Sequence, residues 1–99
     1  MHAVIRTYVN AGSKKLFDVL EERKADVETA LRAVPGLASY TLLRTDKGGI
    51  SITVCQDKAG ADESVRIARD WVQKNASDTG AKPPTVTEGS VILHLLAAK

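Results

Sequence analysis

Residues 34 to 56, VPGLASYTLLRTDKGGISITVCQ, decide the fold of this chain. Two runs rich in β-branched, aromatic and aliphatic residues, Leu37 to Thr45 and Ile50 to Gln56, flank a short polar segment that contains two glycines. This pattern is typical of a strand, a tight turn and a second strand. We therefore predict a β-hairpin at the middle of the chain.

One strand and one helix are predicted on each side of the hairpin. Met1 to Val9 alternates with a period of two, which indicates a strand. Lys14 to about Ala33 carries apolar residues at spacings of three, four and seven, which predicts one amphipathic helix with Ser13 as its N-cap. Ala61 to Asn75 has a similar pattern, and Thr85 to Leu96 reads as the last strand.

The order strand, helix, strand, strand, helix, strand predicts an α+β, ferredoxin-like βαββαβ domain spanning residues 1–99. Both helices should cover one face of a four-stranded antiparallel sheet. We expect the other face to carry Arg6, Tyr8, Tyr40, Leu42, Arg44, Thr53 and also His94. Such a face is too apolar to stay in water, so we expect a homodimer whose two sheets form a dimeric α/β barrel.

Composition narrows the classes of partner. The chain has 14 basic and 12 acidic residues, a net charge of +2, and no basic stripe, so we expect neither a nucleic acid nor a membrane as partner. No apolar run approaches the length of about 20 residues that spans a bilayer. The single cysteine, Cys55, fits a reducing compartment, and we expect a cytoplasmic protein.

Two arginines and two tyrosines form the candidate site. Arg6 and Tyr8 share one face of the first strand, and Tyr40 and Arg44 share one face of a hairpin strand. Guanidinium groups can hold an oxyanion, and a phenol can supply a proton or a hydrogen bond, so these residues could bind a planar anion. The alternative is that they form cross-strand pairs or an interface, where arginine and aromatic residues are enriched.

His94 and Trp71 are the other candidates. His94 could act as a general base because its reference pKa is near ~6.5, or it could be a hydrogen-bonded structural residue. Trp71 could stack on an aromatic ligand or anchor the core. No Cys, His, Asp or Glu spacing resembles a metal site and the glycines match no nucleotide-binding motif, so we expect no metal and no cofactor.

Three segments carry a resemblance to a known family: PGLASYTLLR at 35–44, GGISITV at 48–54 and KAGADESVRIARDWVQKN at 58–75. They resemble the dimeric α/β-barrel superfamily and, within it, small proteins similar to antibiotic-biosynthesis monooxygenases. The resemblance implies the ferredoxin-like fold and the dimer. The superfamily includes cofactor-free oxygenases, haem-binding enzymes, isomerases and ligand-binding regulators, so the fold alone does not give the function.

The resemblance also implies roles for single residues. Haem-degrading members pair a first-strand asparagine with a tryptophan and a histidine. Trp71 could match that tryptophan, but Arg6 and Tyr8 occupy the first strand and no histidine follows before His94, so we expect no haem degradation. Cofactor-free oxygenases use Asn, Trp, Tyr and Arg to hold an acidic polyphenol, and similar chemistry is offered by Trp71, by Tyr8 or Tyr40, and by Arg6 or Arg44.

Two hypotheses follow from these residues. The first is a small-molecule enzyme, similar to a cofactor-independent monooxygenase, that acts on a planar acidic compound. In it Arg6 or Arg44 binds the anion, Tyr8, Tyr40 or His94 moves a proton, and Trp71 stacks on the ligand. The second hypothesis is a non-catalytic homodimer that binds a ligand or serves as an interaction module.

Overall fold

The computed structural model describes residues 1–97. In chain order it contains β1 (His2–Tyr8), α1 (Ser13–Glu22), α2 (Lys24–Arg32), β2 (Leu37–Arg44), β3 (Gly49–Cys55), α3 (Lys58–Asn75), a short 3-10 turn (Ser77–Thr79) and β4 (Thr85–Ser90). The strands form one antiparallel sheet in the order β2-β3-β1-β4, and the helices cover one of its faces. This is the ferredoxin-like α+β fold, so the predicted fold class is confirmed.

The predicted hairpin is formed by β2 and β3. Thr45 and Gly48 close its turn with two backbone hydrogen bonds of 3.2 and 3.3 Å. The next residue, Gly49, lies directly under the ring of Phe17 from α1, and a Cβ atom at this position would overlap that ring. The absence of a side chain at Gly49 therefore lets α1 pack closely on the hairpin.

The single helix predicted from Lys14 to Ala33 is wrong, because two helices meet at Arg23. Arg23 has φ −110° and ψ 31°, its N–H donates to the Val19 carbonyl, and its own carbonyl accepts from Asp26 and Val27. No glycine or proline marks the break. The apolar stripe continues on both sides of it, so periodicity alone does not reveal it.

The predicted N-cap of the first helix is also wrong. The capping position is Gly12, with φ 85°, and Ser13 is already the first helical residue. The Ser13 side chain is fully buried, and its Oγ atom has no hydrogen-bond partner. Ser13 therefore packs in the interior and does not cap the helix.

The face assignment of the sheet is reversed from the prediction. Val4 and Tyr8 belong to the same buried cluster as Leu16 and Phe17 of α1, so this face of β1 lies under the helices. The strand registers place these side chains on the same face: Arg6, Ser51, Thr53, Tyr40, Leu42 and Arg44. The prediction that Arg6, Tyr8 and their neighbours turn away from the helices is therefore wrong, because alternation separates two faces without showing which one is covered.

The opposite face of the sheet, here called the open face, has no helix over it. Its positions are Ala3, Ile5, Thr7, Ser39, Thr41, Leu43, Ile50, Ile52, Val54, Thr85, Thr87 and Gly89. None of these residues is charged. The open face is thus apolar at its centre and bordered by hydroxyl groups.

The last strand is shorter than predicted. β4 ends at Ser90, which pairs with His2 at the start of β1, and one further bond of 3.0 Å joins the Val91 N–H to the Met1 carbonyl. The described chain has no strand beside the residues that follow, so they leave the sheet. This C-terminal tail, residues 91–97, exposes Ile92, Leu93, Leu95 and Leu96.

Candidate ligand-binding site

The pair Arg6 and Tyr8 lies in the second half of β1, under the helices. Arg6 is 6% exposed and Tyr8 is 5% exposed. Nη2 of Arg6 donates a hydrogen bond to the Tyr8 hydroxyl, and the edge of the Tyr8 ring packs on Phe17 with the ring centres 5.7 Å apart. Both side chains are therefore held in fixed positions by the core.

Helix α3 forms the wall opposite this pair. It begins after Asp57, whose Oδ1 accepts a hydrogen bond of 2.9 Å from the Gly60 N–H. Its buried residues include Gly60, Ala61, Ser64 and Ala68, and such small side chains let the helix lie close to the sheet. The larger residues of α3 then border the space beside Arg6.

A cavity of about 350 Å³ opens between α3, β1 and β4. Arg6 and Tyr8 line its inner end. The other lining residues are Val65, Arg69, Val72, Gln73, Ala81, Lys82, Pro83, Pro84 and Val86. This volume is within the range of about 300 to 1,000 Å³ that is typical of small-molecule sites.

A smaller recess lies on the other side of the same pair, deeper under the helices. Its volume is about 20 Å³, enough for roughly one water molecule. Arg6, Tyr8, Tyr40, Ser51 and Trp71 contribute its polar and aromatic lining. The structure therefore brings four of the predicted site residues, Arg6, Tyr8, Tyr40 and Trp71, around one small space.

Arg6 is a buried cation that has no carboxylate partner within residues 1–97. Of the six arginines in the chain, Arg23, Arg32, Arg44 and Arg66 pair with carboxylates, whereas within residues 1–97 no carboxylate pairs with Arg6. Its Nε atom is buried and has no hydrogen-bond partner. An uncompensated buried charge costs several kcal/mol, so this position favours binding of an anion.

Both tyrosines of the chain lie at this site and are neutral at physiological pH. Burial raises the pKa of Tyr8, and the nearby positive charge of Arg6 only partly opposes that effect. Burial likewise raises the pKa of Tyr40. Since the Tyr8 oxygen accepts from Arg6, its hydroxyl proton is free to be donated to a ligand.

Trp71 is held in the recess by the residue at the helix break. The Arg23 guanidinium lies 5.4 Å from the centre of the Trp71 ring, a distance typical of a cation–π contact. Arg23 Nη1 also donates to Asn75 Oδ1 at 2.8 Å, and Asn75 Nδ2 donates to the Trp71 carbonyl at 2.9 Å. These contacts hold the indole beside Arg23.

Arg44 and His94 lie elsewhere. Arg44 forms ion pairs of 3.2 Å with Asp18 and 3.1 Å with Glu21 at the surface of α1. His94 lies in the C-terminal tail, and neither it nor Arg44 lines the cavity or the recess. The structure therefore separates these two residues from the other four.

Sequence reasoning missed Arg69 and Lys82, which line the cavity with Arg6. A signal for Arg69 was present. Positions three and four residues away from Arg69 hold Val65, Arg66, Val72 and Gln73, so no carboxylate can pair with it along the helix. Lys82 lies in an irregular segment, and periodicity gives no information on where such a residue packs.

The remaining surface offers weaker candidates. A groove of about 470 Å³ runs between α2 and β2, but there Arg32 already pairs with Glu28 at 2.8 Å. Within residues 1–97, no group of three or more His, Cys, Asp or Glu side chains is arranged to hold a metal ion. Over the same residues, no helix is both long enough and apolar enough to cross a bilayer. The cavity beside Arg6 therefore remains the candidate site.

Comparison with solved structures identifies the fold more closely. The haem degrader MhuD from Mycobacterium tuberculosis is 22% identical, with a TM-score of 0.67, and the match covers 96% of this chain and 99% of that one. The monooxygenase from the gene ActVA-Orf6 of Streptomyces coelicolor, solved with the ligand Nanaomycin D, is 16% identical, with a TM-score of 0.64 and coverages of 98% and 91%. This chain shares its fold with both of these solved proteins.

A third similar structure is a dimeric ferredoxin-like protein from an uncultured marine organism. It is 15% identical, with a TM-score of 0.63, and the match covers 97% of this chain and 96% of that one. No protein-family model and no curated protein sequence matches the chain. At these identities the likeness establishes the fold alone, and the predicted resemblance to this superfamily is confirmed at that level.

Proposed function

We propose that this protein is a small-molecule enzyme of the cofactor-independent monooxygenase type, acting on a planar acidic compound bound beside Arg6. The observation that carries this proposal is the buried guanidinium of Arg6, which no carboxylate of residues 1–97 pairs with, at the inner end of a cavity large enough for such a compound. Solved monooxygenases with the same fold give it further support.

The charges around the cavity suggest how such a site would act. Arg6, Arg69 and Lys82 line it, and none of its lining residues is acidic. Unopposed positive charge lowers the pKa of a bound phenol and favours the phenolate. A phenolate donates electrons to oxygen more readily than a neutral phenol, so the site would activate its substrate electrostatically.

Tyr8 is the proposed proton donor. Its raised pKa keeps the phenol neutral, and its oxygen already accepts from Arg6, so the hydroxyl proton is free to be donated to a ligand held by the same arginine. Tyr40 and Trp71 line the adjoining recess and would contact the inner edge of the compound. Arg44 and His94 have no part in this proposal, because they lie away from the cavity.

We propose no haem for this cavity. Its lining residues include no histidine, cysteine or methionine, and the raised pKa of Tyr8 disfavours the phenolate that would bind iron. The haem degrader with a similar fold therefore does not guide the proposal for this chain.

We further propose a homodimer formed through the open face. That face carries no charged residue, and Ile5 and Leu43 on it remain exposed in the single chain. The exposed tail adds four large apolar side chains. A second copy placed sheet to sheet would bury both features.

The lone Cys55 agrees with function in the cytoplasm.

A ligand screen tests the proposed function. Wild-type protein and the variants Arg6→Met and Tyr8→Phe would be mixed with hydroxynaphthoates and anthraquinone carboxylates. Thermal stabilisation reports binding, and oxygen uptake reports turnover. We expect binding to require Arg6, and oxygen uptake to require both residues. Equal stabilisation of wild type and Arg6→Met by every compound would reject the site.

One observation favours a second candidate, a non-catalytic ligand-binding dimer. No carboxylate or histidine lines either the cavity or the recess, so no side chain there is a ready general base at neutral pH. Acid binding that depends on Arg6, without oxygen uptake for any compound in the screen, would favour this candidate over the enzyme.

A further inference from the structure

We propose that the ligand carries two separated acidic groups, the first held by Arg6 inside the cavity and the second held by Arg69 at its mouth. This inference rests on the proposed acid-binding function and specifies its substrate class as an aromatic dianion. Arg69 lies on α3 and Arg6 on β1, and both line the same cavity.

The pairing of arginines supports this inference. Four of the six arginines have carboxylate partners, and the two that have none within residues 1–97 are Arg6 and Arg69. Arg66, one turn earlier on α3, contacts Glu63 at 2.6 Å and Asp70 at 2.9 Å. Arg66, which lies outside the cavity, is thus neutralised by carboxylates of α3. Arg69, which lines the cavity, pairs with no carboxylate of residues 1–97.

The two arginines differ in depth. Arg6 is almost fully buried at the inner end, whereas Arg69 is exposed at the opening. Lys82 lines the cavity as well and likewise has no carboxylate partner among residues 1–97. A compound that reaches from the floor to the mouth would therefore meet positive charge at both ends.

The cavity also has an apolar lining. Val65, Val72, Pro83, Pro84 and Val86 contribute it. The flat hydrocarbon surface of an aromatic ligand packs well against such side chains. Burying that surface increases the affinity for the ligand but does not fix its orientation. The charged ends would then fix the orientation of an elongated aromatic body.

Matched probes test the second acid group. Naphthoate carries one carboxylate, naphthalene dicarboxylate carries one at each end, and its dimethyl ester carries none. Dissociation constants would be measured by calorimetry for wild type, Arg69→Gln and the control Arg66→Gln. Arg66→Gln removes the same charge from the same helix but does not touch the cavity.

We expect wild type to bind the dicarboxylate about fivefold more tightly than naphthoate, because the second contact is charge-assisted but solvent-exposed. Arg69→Gln should remove most of this preference and weaken naphthoate binding much less than dicarboxylate binding, while Arg66→Gln should retain the preference. Added salt should shrink the preference, since the outer contact is exposed to counterions.

Other outcomes separate this inference from the function on which it rests. Naphthoate binding through Arg6 with no preference for the dicarboxylate would overturn the second acid group and leave the proposed function standing. An equal loss of naphthoate affinity in Arg69→Gln would show that both arginines hold one acid group, which also overturns it. If wild type bound neither acid, the proposed acid-binding function itself would fail.

Discussion

The Arg6 guanidinium donates a hydrogen bond to the hydroxyl of Tyr8, two residues along the same strand, and its central carbon lies 5.4 Å from the centre of the Tyr8 ring. The Tyr8 hydroxyl accepts a hydrogen bond from one of the several N–H donors of the Arg6 guanidinium. Nε of Arg6 stays buried without a partner, and no carboxylate of residues 1–97 balances the charge. Tyr8 therefore orients the guanidinium without neutralising it.

Removing the unpaired charge should not destabilise the free protein. Methionine keeps most of the length of the arginine stem, so Arg6→Met removes the cost of a buried charge without opening a large cavity. We expect the free energy of unfolding to rise by about 1 kcal/mol in urea titrations without ligand. Arg32→Met, at an exposed helix site, serves as control and should change it by less than about 0.5 kcal/mol. A large loss of stability in Arg6→Met would show that Arg6 holds the fold together.

The tyrosines should resist ionisation in the folded protein. Tyr8 and Tyr40 are the only tyrosines, and burial raises the pKa of each above 10.0. At pH 10.0 most of both should stay protonated when folded, whereas in denaturant about half should ionise. Ultraviolet absorbance of tyrosinate during an alkaline titration measures this directly. Normal titration of both phenols in the folded state would contradict their burial.

The raised pKa values of Tyr8 and Tyr40 also determine how the free energy of unfolding changes with pH. A raised folded-state pKa means that the unfolded chain loses its phenolic protons first. The contribution to stability is therefore complete below about pH 10 and declines above it as the pH rises through the folded pKa. Tyr8→Phe should reduce this alkaline decline, because it removes one of the two groups responsible.

The order of the elements could be predicted from the sequence, and so could which side chains of a strand share a face. Alternation placed Arg6 with Tyr8 correctly, and the glycine-rich turn located the hairpin. It could not show which face the helices cover, because the open face presents Ile5, Ile50 and other apolar residues of its own. Ser51 and Thr53, which look suited to the surface, are buried under the helices instead.

The candidate site could not be predicted in full from the sequence, because it forms by tertiary packing and periodicity gives no information on that packing. Arg44 matches Arg6 in residue type and in the face of the sheet, yet it is the last residue of β2 and is neutralised there by Asp18 and Glu21. The tail around His94 has the alternation of a strand, but β1 begins opposite Ser90, and the pairing stops after the bond between Val91 and Met1. These differences arise from neighbours that only the folded chain reveals.

Gly49 should be among the least tolerant positions of the sheet. A methyl group there would overlap the Phe17 ring, so Gly49→Ala must displace α1 or the hairpin. We expect a loss of about 2 kcal/mol in the free energy of unfolding, which is within the range for overpacked cores. Gly89→Ala is the matched control in the same sheet, since nothing lies within 4 Å of the added carbon. Equal stability of the two variants would show that α1 does not pack against Gly49.

Charge on the open face should break the proposed dimer. Ile5 lies near the middle of that face and is 36% exposed in the single chain. Burying an unpaired ammonium between two sheets is costly, so Ile5→Lys should yield monomers in light scattering at micromolar concentration. Ala25→Lys adds the same charge on the exposed surface of α2 and should leave the dimer intact. A wild-type monomer, or a dimer that survives Ile5→Lys, would argue against this interface.

If Arg6 binds the acid group of the ligand, the side-chain Nε–H of Arg6 reports that contact directly. Nitrogen–proton correlation spectra of arginine-labelled protein would be recorded with naphthoate and with its neutral methyl ester, and the Arg6 signal assigned by its loss in Arg6→Met. We predict that naphthoate moves the Arg6 signal downfield, as expected for a new charge-assisted hydrogen bond, and that the ester does not. If naphthoate binds while the Arg6 signal stays in place, the acid lies elsewhere and the proposed site is wrong.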